Sequence, residues 1–235
     1  MSAHTLQTAA TIDRMIESAD RLEIADWSTS PSDLWSGRTV LTVSLQGCPW
    51  RCTNCEQPEL ADTVVGGAVP WRDVRDVIHA SGAGLDGVLL TGGEPTRQDG
   101  LIDAIEQIRE LGLPVAVHTN GAYPRRLAEI LPLVDRVVLD VRAPATRYRA
   151  ATGAGSSAHK VFASLRSVLE SGVELQVRST IDPDVVSPVE LERLVADLVA
   201  QGVGDHVVIE RRGTERPAVP VRRVPVGSGR VPSRG

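Results

Sequence analysis

Short apolar runs and amphipathic segments alternate along the chain from Arg38 to Glu210. The amphipathic segments, such as LIDAIEQIREL, place apolar residues at helical spacing, and SPVELERLVADLVAQ begins with Ser187 as the predicted N-cap and Pro188 in the first turn. Six apolar runs have the length and composition of buried strands: RTVLTVSL, GVLLTGG, LPVAVHT, DRVVLDV, VELQVRS and DHVVIE. This alternation predicts an α/β fold with a parallel sheet covered by helices.

The pattern also predicts how the chain is divided. Six strands fit either an open partial barrel or a doubly wound sheet, since eight would close a standard barrel. Residues 1–37 are predicted to form an N-terminal extension, with a short helix before residue 20, RLEIADW as a further strand and SPSDLWSG as a loop. Residues 38–210 form the main domain. Residues 211–235 are rich in Pro, Gly and Arg without periodicity, which predicts a disordered basic tail.

Composition narrows the possible partners and locations. A formal net charge of -5 argues against a nucleic-acid-binding protein, which usually carries a basic domain. No apolar run is long enough to span a bilayer, and the first residues lack the basic start and apolar stretch of a secretory signal. We therefore expect a cytoplasmic protein that binds neither nucleic acid nor membranes.

All three cysteines, Cys48, Cys52 and Cys55, lie in the segment GCPWRCTNCEQPEL directly after the first of the six runs. An odd number of cysteines in a cytoplasmic chain disfavours disulfides, and Pro49 favours a wrapping loop over a helix at Cys48. Three thiolates this close can hold an iron–sulfur cluster, and they leave one iron open where a ferredoxin would use a fourth cysteine. A structural zinc site is the alternative, although the usual second Cys or His pair is not seen.

The later strands also end in polar or glycine-rich segments, which are TGGEP (91–95), HTNG (118–121), LDVR (139–142) and VRST (177–180). The carboxyl ends of parallel strands meet at one edge of a sheet, so we expect these segments to surround the cysteine loop. Paired glycines allow a backbone to approach a ligand closely. No phosphate-binding loop, dinucleotide fingerprint or Ser-His-Asp arrangement is recognisable.

The spacing C-x3-C-x2-C after a first strand resembles the signature of the radical S-adenosylmethionine (radical SAM) superfamily. GCPWRCTNCEQPEL is similar to the loop of anaerobic ribonucleotide reductase activating proteins, within the group that includes the pyruvate formate-lyase activating enzyme. The resemblance covers most of residues 38–210. It implies a partial (β/α)6 open TIM-like barrel, a 4Fe-4S cluster on the three cysteines, and S-adenosylmethionine on the open iron.

The same resemblance implies which residues contact S-adenosylmethionine: Asn54, Gly92, Gly93, Glu94, Thr119, Asn120, Asp140, Arg142 and Arg178. By this match, Gly92, Gly93 and Glu94 meet the methionine part, and Arg142 and Arg178 pair with its carboxylate. Asp140 accepts hydrogen bonds from the ribose or helps to form a cation site. Four positions depart from the family pattern, namely Asn54, Gln57, His118 and Arg142, where an aromatic residue, Asn, Asp and Lys are common. A cation site near His118 and a plain polar role for this residue are equally open.

The activity that the resemblance implies is that of a glycyl radical enzyme activating enzyme. A 5′-deoxyadenosyl radical would take a hydrogen atom from a glycine of a partner, first of all an anaerobic ribonucleotide reductase. A flavodoxin- or ferredoxin-type protein would supply the electron. One alternative is a radical SAM enzyme that acts directly on a small molecule or a peptide, and a second is a non-catalytic metal-binding module. The segment from Tyr148 to Gly153 is predicted to be a loop, either a flexible one at the active site or an ordinary one.

Overall fold

The computed structural model describes residues 18–81, 84–211, 213 and 222–224. Eight strands form a single sheet in which spatial order follows chain order. The strands are β1 Ile24–Pro31, β2 Thr39–Leu45, β3 Gly87–Gly92, β4 Val115–Thr119, β5 Arg136–Asp140, β6 Glu174–Ile181, β7 His206–Glu210 and β8 Arg222–Val224. Strands β2 to β7 are parallel and correspond to the six predicted runs, which confirms the α/β fold. Strands β1 and β8 pair antiparallel at the two edges.

Helices connect the parallel strands. Their bounds are α1 Trp71–Ser81, α2 Leu101–Glu110, α3 Pro124–Ile130, α4 Tyr148–Thr152, α5 Ser157–Ser171 and α6 Pro188–Ala200. Helix α6 starts with a capping box in which Ser187 and Glu190 each bind the other's backbone N–H, so the predicted N-cap is confirmed. None of the helices in the described ranges is long and apolar enough to cross a membrane.

The order of the strands argues against one of the two architectures that the sequence leaves open, the doubly wound sheet. A doubly wound sheet reverses its strand order at a switch point, whereas here each parallel strand lies next to its predecessor in the chain. Alternate strand residues such as Leu41, Val88 and Val137 share one core with the apolar faces of the helices. The order is therefore that of an open β/α barrel, while the curvature of a partial barrel stays a prediction.

On the other face of the sheet, the side chains change from apolar to polar along the strands. Towards the start of the strands it carries a small apolar cluster of Trp35, Val40, Leu89 and Ala116. At the carboxyl ends of β3, β4 and β5, side chains with the same alternation are polar, namely Thr91, His118 and Asp140. Polar side chains are thus concentrated at the carboxyl-terminal end of this face.

The structure differs from the sequence predictions at several places. Strand β1 lies within the predicted extension 1–37, where the sequence indicated a strand at RLEIADW, and it pairs along β2, while the domain bounds stay predictions. Residues 222–224 of the predicted disordered tail form β8, which pairs with β7, and most other residues of the tail lie outside the described ones. The short helix expected before residue 20 also falls largely outside them. The segment that follows β5 is not a loop throughout, since α4 begins at Tyr148, which is completely buried.

Candidate functional site

A cleft opens at the carboxyl ends of β2 to β5. Its walls are formed by Cys48, Trp50, Cys52, Cys55, Glu56, Gln57, Ala61, Gly92, Gly93, His118, Thr119, Asn120, Asp140 and Arg142. The structure therefore brings together all the predicted site residues except Asn54, Glu94 and Arg178. The sequence had not assigned Trp50, Glu56 or Gln57 to the site, although their positions next to the cysteines carried that signal.

The cysteine loop is fixed by backbone hydrogen bonds on two sides. The N–H groups of Arg51 and Thr53 donate to the carbonyls of Thr152 and Ala151 at the end of α4, at 3.0 and 3.1 Å. The N–H of Cys48 donates to the carbonyl of Ala61 at 3.2 Å. All three cysteines are free thiols and are only partly buried. The loop thus presents its sulfur atoms to the cleft from a framework that does not depend on disulfides.

An aromatic stack supports this loop from the helix side. The ring of Trp50 meets Tyr148 edge to face at 6.1 Å, and Tyr148 meets Phe162 in the same way at 6.0 Å. The hydroxyl of Tyr148 accepts a hydrogen bond from the N–H of Arg142 at 3.1 Å. Tyr148 therefore ties the cysteine loop to the segment after β5, which is a structural role.

The paired glycines are required by the contact between two pieces of backbone. Gly92 has a φ of 111°, and a Cβ atom on Gly93 would lie 2.5 Å from the carbonyl oxygen of Gly47. The N–H groups of Gly93 and Glu94 donate to the carbonyls of Leu45 and Gly47 at 2.8 and 3.0 Å. The turn after β3 consequently packs directly against the start of the cysteine loop.

Glu94 is completely buried and lies behind the wall of the cleft. Its carboxylate accepts hydrogen bonds from the hydroxyl of Thr119 at 2.7 Å, from the N–H of Asn120 at 2.8 Å, and from both the N–H and the hydroxyl of Thr96. Burial raises the pKa of Glu94, and these donors oppose that rise. Glu94 thereby holds Thr119 and Asn120 in place, and the Asn120 amide donates to the Cys48 sulfur at 3.3 Å.

Asp140 is the centre of a buried polar chain at the end of β5. One carboxylate oxygen accepts from Arg142 at 2.6 Å, and the other lies 3.0 Å from Nε2 of His118. Burial by itself would raise the pKa of Asp140, but Arg142 and His118 hold it well below its usual range. The second ring nitrogen of His118 lies 3.1 Å from the hydroxyl of Thr91. Because both ring nitrogens have partners, the structure uses His118 as a polar link.

Two predicted residues have partners other than those that the resemblance implies. Asn54 is only 2% exposed, and its amide donates to the carbonyl of Thr180 at 3.0 Å. The guanidinium of Arg178 donates to both carboxylate oxygens of Glu56, at 2.8 and 3.1 Å. All nine predicted contacts with S-adenosylmethionine, including those of Asn54, Glu94 and Arg178, stay predictions.

The chemistry of the donor set fits a cluster and an anionic ligand. Burial raises the pKa of Cys48 to about 12 and also raises that of Cys52, so binding of iron would release protons. Nε of Arg142 is buried and has no hydrogen-bond acceptor among the described residues, although the side chain lines the cleft. A carboxylate would supply that acceptor. Within the described ranges, no three His, Cys, Asp or Glu side chains are arranged around a single ion.

Comparison with known proteins gives the family. Residues 42–185, more than half of the chain, match the model of the radical SAM superfamily. The chain is 29% identical over 171 residues to the pyruvate formate-lyase-activating enzyme of Clostridium pasteurianum, covering 69% of each protein. It is 24% identical over 157 residues, 64% of each, to a Methanocaldococcus jannaschii protein provisionally named a glycyl-radical enzyme activating enzyme.

A solved structure agrees on the fold. Streptococcus suis SuiB bound to S-adenosylmethionine superimposes with a TM-score of 0.60 at 18% identity, over 88% of this chain and 46% of SuiB. The family implies a 4Fe-4S cluster and S-adenosylmethionine, and the three-cysteine cleft has the donors for both. On the matched segment and the cleft that it builds, the chain belongs to the radical SAM superfamily.

Proposed function

We propose that this protein is a glycyl radical enzyme activating enzyme whose partner is an anaerobic ribonucleotide reductase. The observation that supports this most is the cleft in which Cys48, Cys52 and Cys55 face the Asp140–Arg142 pair. When bound there, the reduced cluster and S-adenosylmethionine supply a 5′-deoxyadenosyl radical that takes hydrogen from a glycine Cα. The similarity to activating enzymes supports the choice of substrate.

Different residues of the cleft would bind the cluster and S-adenosylmethionine. The three thiols would hold three irons of the cluster and leave the fourth iron to another ligand, because the sequence contains only three cysteines. Arg142, whose Nε has no acceptor among the described residues, would pair with the carboxylate of S-adenosylmethionine, and Asp140, kept ionised by its neighbours, would accept from the ribose hydroxyls. Gly92 and Gly93 line the same cleft without side chains.

The small number of cysteines also favours an activating enzyme. No cysteines remain for an auxiliary cluster, so the only redox centre that the chain can build is the one in the cleft. Hydrogen abstraction by a radical requires no acid or base from a side chain. A flavodoxin- or ferredoxin-type donor would supply the electron.

A second candidate is direct action on a small molecule or a peptide. The departure of His118 from the pattern of activating enzymes supports it, because this histidine, 16% exposed, lines the cleft beside Asp140 and hydrogen abstraction from a glycine needs no imidazole. A non-catalytic zinc module is less well supported, since zinc needs ligands that converge on one ion and the described residues offer no such set.

The test is anaerobic reconstitution with iron and sulfide, followed by reduction in the presence of S-adenosylmethionine. We expect 5′-deoxyadenosine to form, and we expect an EPR doublet from a glycyl radical when an anaerobic ribonucleotide reductase is added. Product without a protein radical, together with turnover of a small substrate, would favour the second candidate. Stoichiometric zinc and no 5′-deoxyadenosine would overturn both.

A further inference from the structure

The part of the cysteine loop around Cys55 has few backbone anchors of its own. The N–H of Cys55 donates only within the loop, to the carbonyl of Cys52 at 3.4 Å. This is a long hydrogen bond, and it does not reach the sheet. By contrast, the backbone N–H groups of Cys48 and of both neighbours of Cys52 donate to groups outside the three-cysteine stretch. Side chains next to Cys55 connect this part of the loop to the sheet.

Those side chains belong to the residues on either side of it. Glu56 accepts from Arg178 at 2.8 and 3.1 Å and from the hydroxyl of Thr180 at 3.3 Å. Asn54 donates to the backbone carbonyl of Thr180 at 3.0 Å. The residues on both sides of Cys55 therefore bind to the last part of β6, more than a hundred residues further along the chain.

The ion pair is the stronger of the two attachments. Its side chains are 17% exposed for Arg178 and 31% exposed for Glu56, so the pair is partly shielded from solvent. Charge-assisted hydrogen bonds of this kind are stronger than neutral ones. Glu56 also lines the cleft, which places a carboxylate next to the thiol ligands. Arg178 neutralises the carboxylate of Glu56, which would otherwise repel an anionic cluster.

We propose that Arg178 is a positioning residue which, through Glu56, holds Cys55 at the end of β6 and so retains the cluster. This inference rests on the proposed function, because it requires that the three cysteines bind iron. The partner that the structure gives to Nη2 of Arg178 is Glu56, rather than the carboxylate that the resemblance implied.

The experiment compares Glu56→Gln, Arg178→Met and the reversed pair Glu56→Arg with Arg178→Glu. Each protein is reconstituted anaerobically, and iron loss to a chelator is followed through the absorbance of the cluster. Outer partners of metal ligands typically change metal affinity about 10- to 100-fold, so each single variant should lose iron at least about 10-fold faster. The reversed pair should regain most of the retention. Circular dichroism shows whether each variant is folded.

Arg147→Met is the matched control, because Arg147 also pairs with a glutamate, Glu190, but away from the cleft. It should retain iron like the wild type. Weaker binding of S-adenosylmethionine in Arg178→Met, with normal iron retention there and in Glu56→Gln, would overturn the inference. A wild-type chain that takes up no cluster would overturn the proposed function as well.

Discussion

Strand β5 carries a buried charged side chain at each end, and the two side chains differ in how completely they are paired. At the start, Arg136 donates to the carbonyl of Leu34 at 2.9 Å and forms ion pairs with Glu174 and Asp205. At its carboxyl end, Asp140 pairs with Arg142, whose Nε has no acceptor in the part of the chain that the structure describes. Buried charges at the amino ends of barrel strands serve stability, and those at the carboxyl ends are available to ligands.

The largest effect at the carboxyl end should come from Cys52→Ala. Removing one of three thiolates leaves two ligands for the cluster, so both iron retention and 5′-deoxyadenosine formation should be abolished. Iron and sulfide analysis with product chromatography measures both. Val64→Ala is the control, because Val64 is 90% exposed in the loop that follows. Product formation that survived in Cys52→Ala would disprove the assignment of the cysteines.

Asp140→Asn should lower stability and ligand binding together. It would leave the buried guanidinium of Arg142 without its counter-ion, which typically costs about 3–5 kcal/mol in the free energy of unfolding. Urea unfolding of the metal-free chain measures that cost, and equilibrium binding of S-adenosylmethionine to the loaded chain measures the second effect. The control is Asp99→Asn, an exposed partner of Arg126 that should cost about 1 kcal/mol or less. Normal ligand affinity in Asp140→Asn would remove Asp140 from the site.

Arg136→Met tests the other end of the strand. Its acidic partners are partly exposed and can be hydrated, so we expect a smaller loss of about 1–3 kcal/mol in the free energy of unfolding. Iron uptake and binding of S-adenosylmethionine should equal those of the wild type. Reduced ligand binding at normal iron content would show that the two ends of β5 are not separable.

The smallest effect should be the pH dependence of the folding stability that comes from His206. This residue begins β7, at the same amino-terminal end of the sheet. Burial lowers the pKa of His206 to about 4, below the unfolded value of about 6.5, so the unfolded chain binds the proton first. The stability that neutral His206 contributes is present above pH about 6.5 and is lost as pH falls towards about 4. At pH 5.5 the loss is about 1 kcal/mol. Thermal unfolding across this range should show it, and His206→Gln should flatten the profile; an unchanged slope would contradict it.

The strands and most of the site were predictable because apolar runs mark buried strands and their polar endings mark one edge of the sheet. The cysteines, the glycine pair, Asp140 and Arg142 all follow from that rule. The rule gives the edge on which a side chain lies but not its partner. Glu94 turned inwards and Arg178 met Glu56, both through contacts between distant parts of the chain. Strand β8 was missed because three residues carry too little pattern to predict pairing.

The attachment of the cysteine loop to α4 has a consequence for assembly. A helix of five residues is too short to be stable alone, and here its last carbonyls are satisfied by the loop itself, through Arg51 and Thr53. The two segments therefore support each other, and we expect them to form together during folding. The amide hydrogens of Arg51 and Thr53 should exchange slowly with solvent, because both are engaged in these hydrogen bonds.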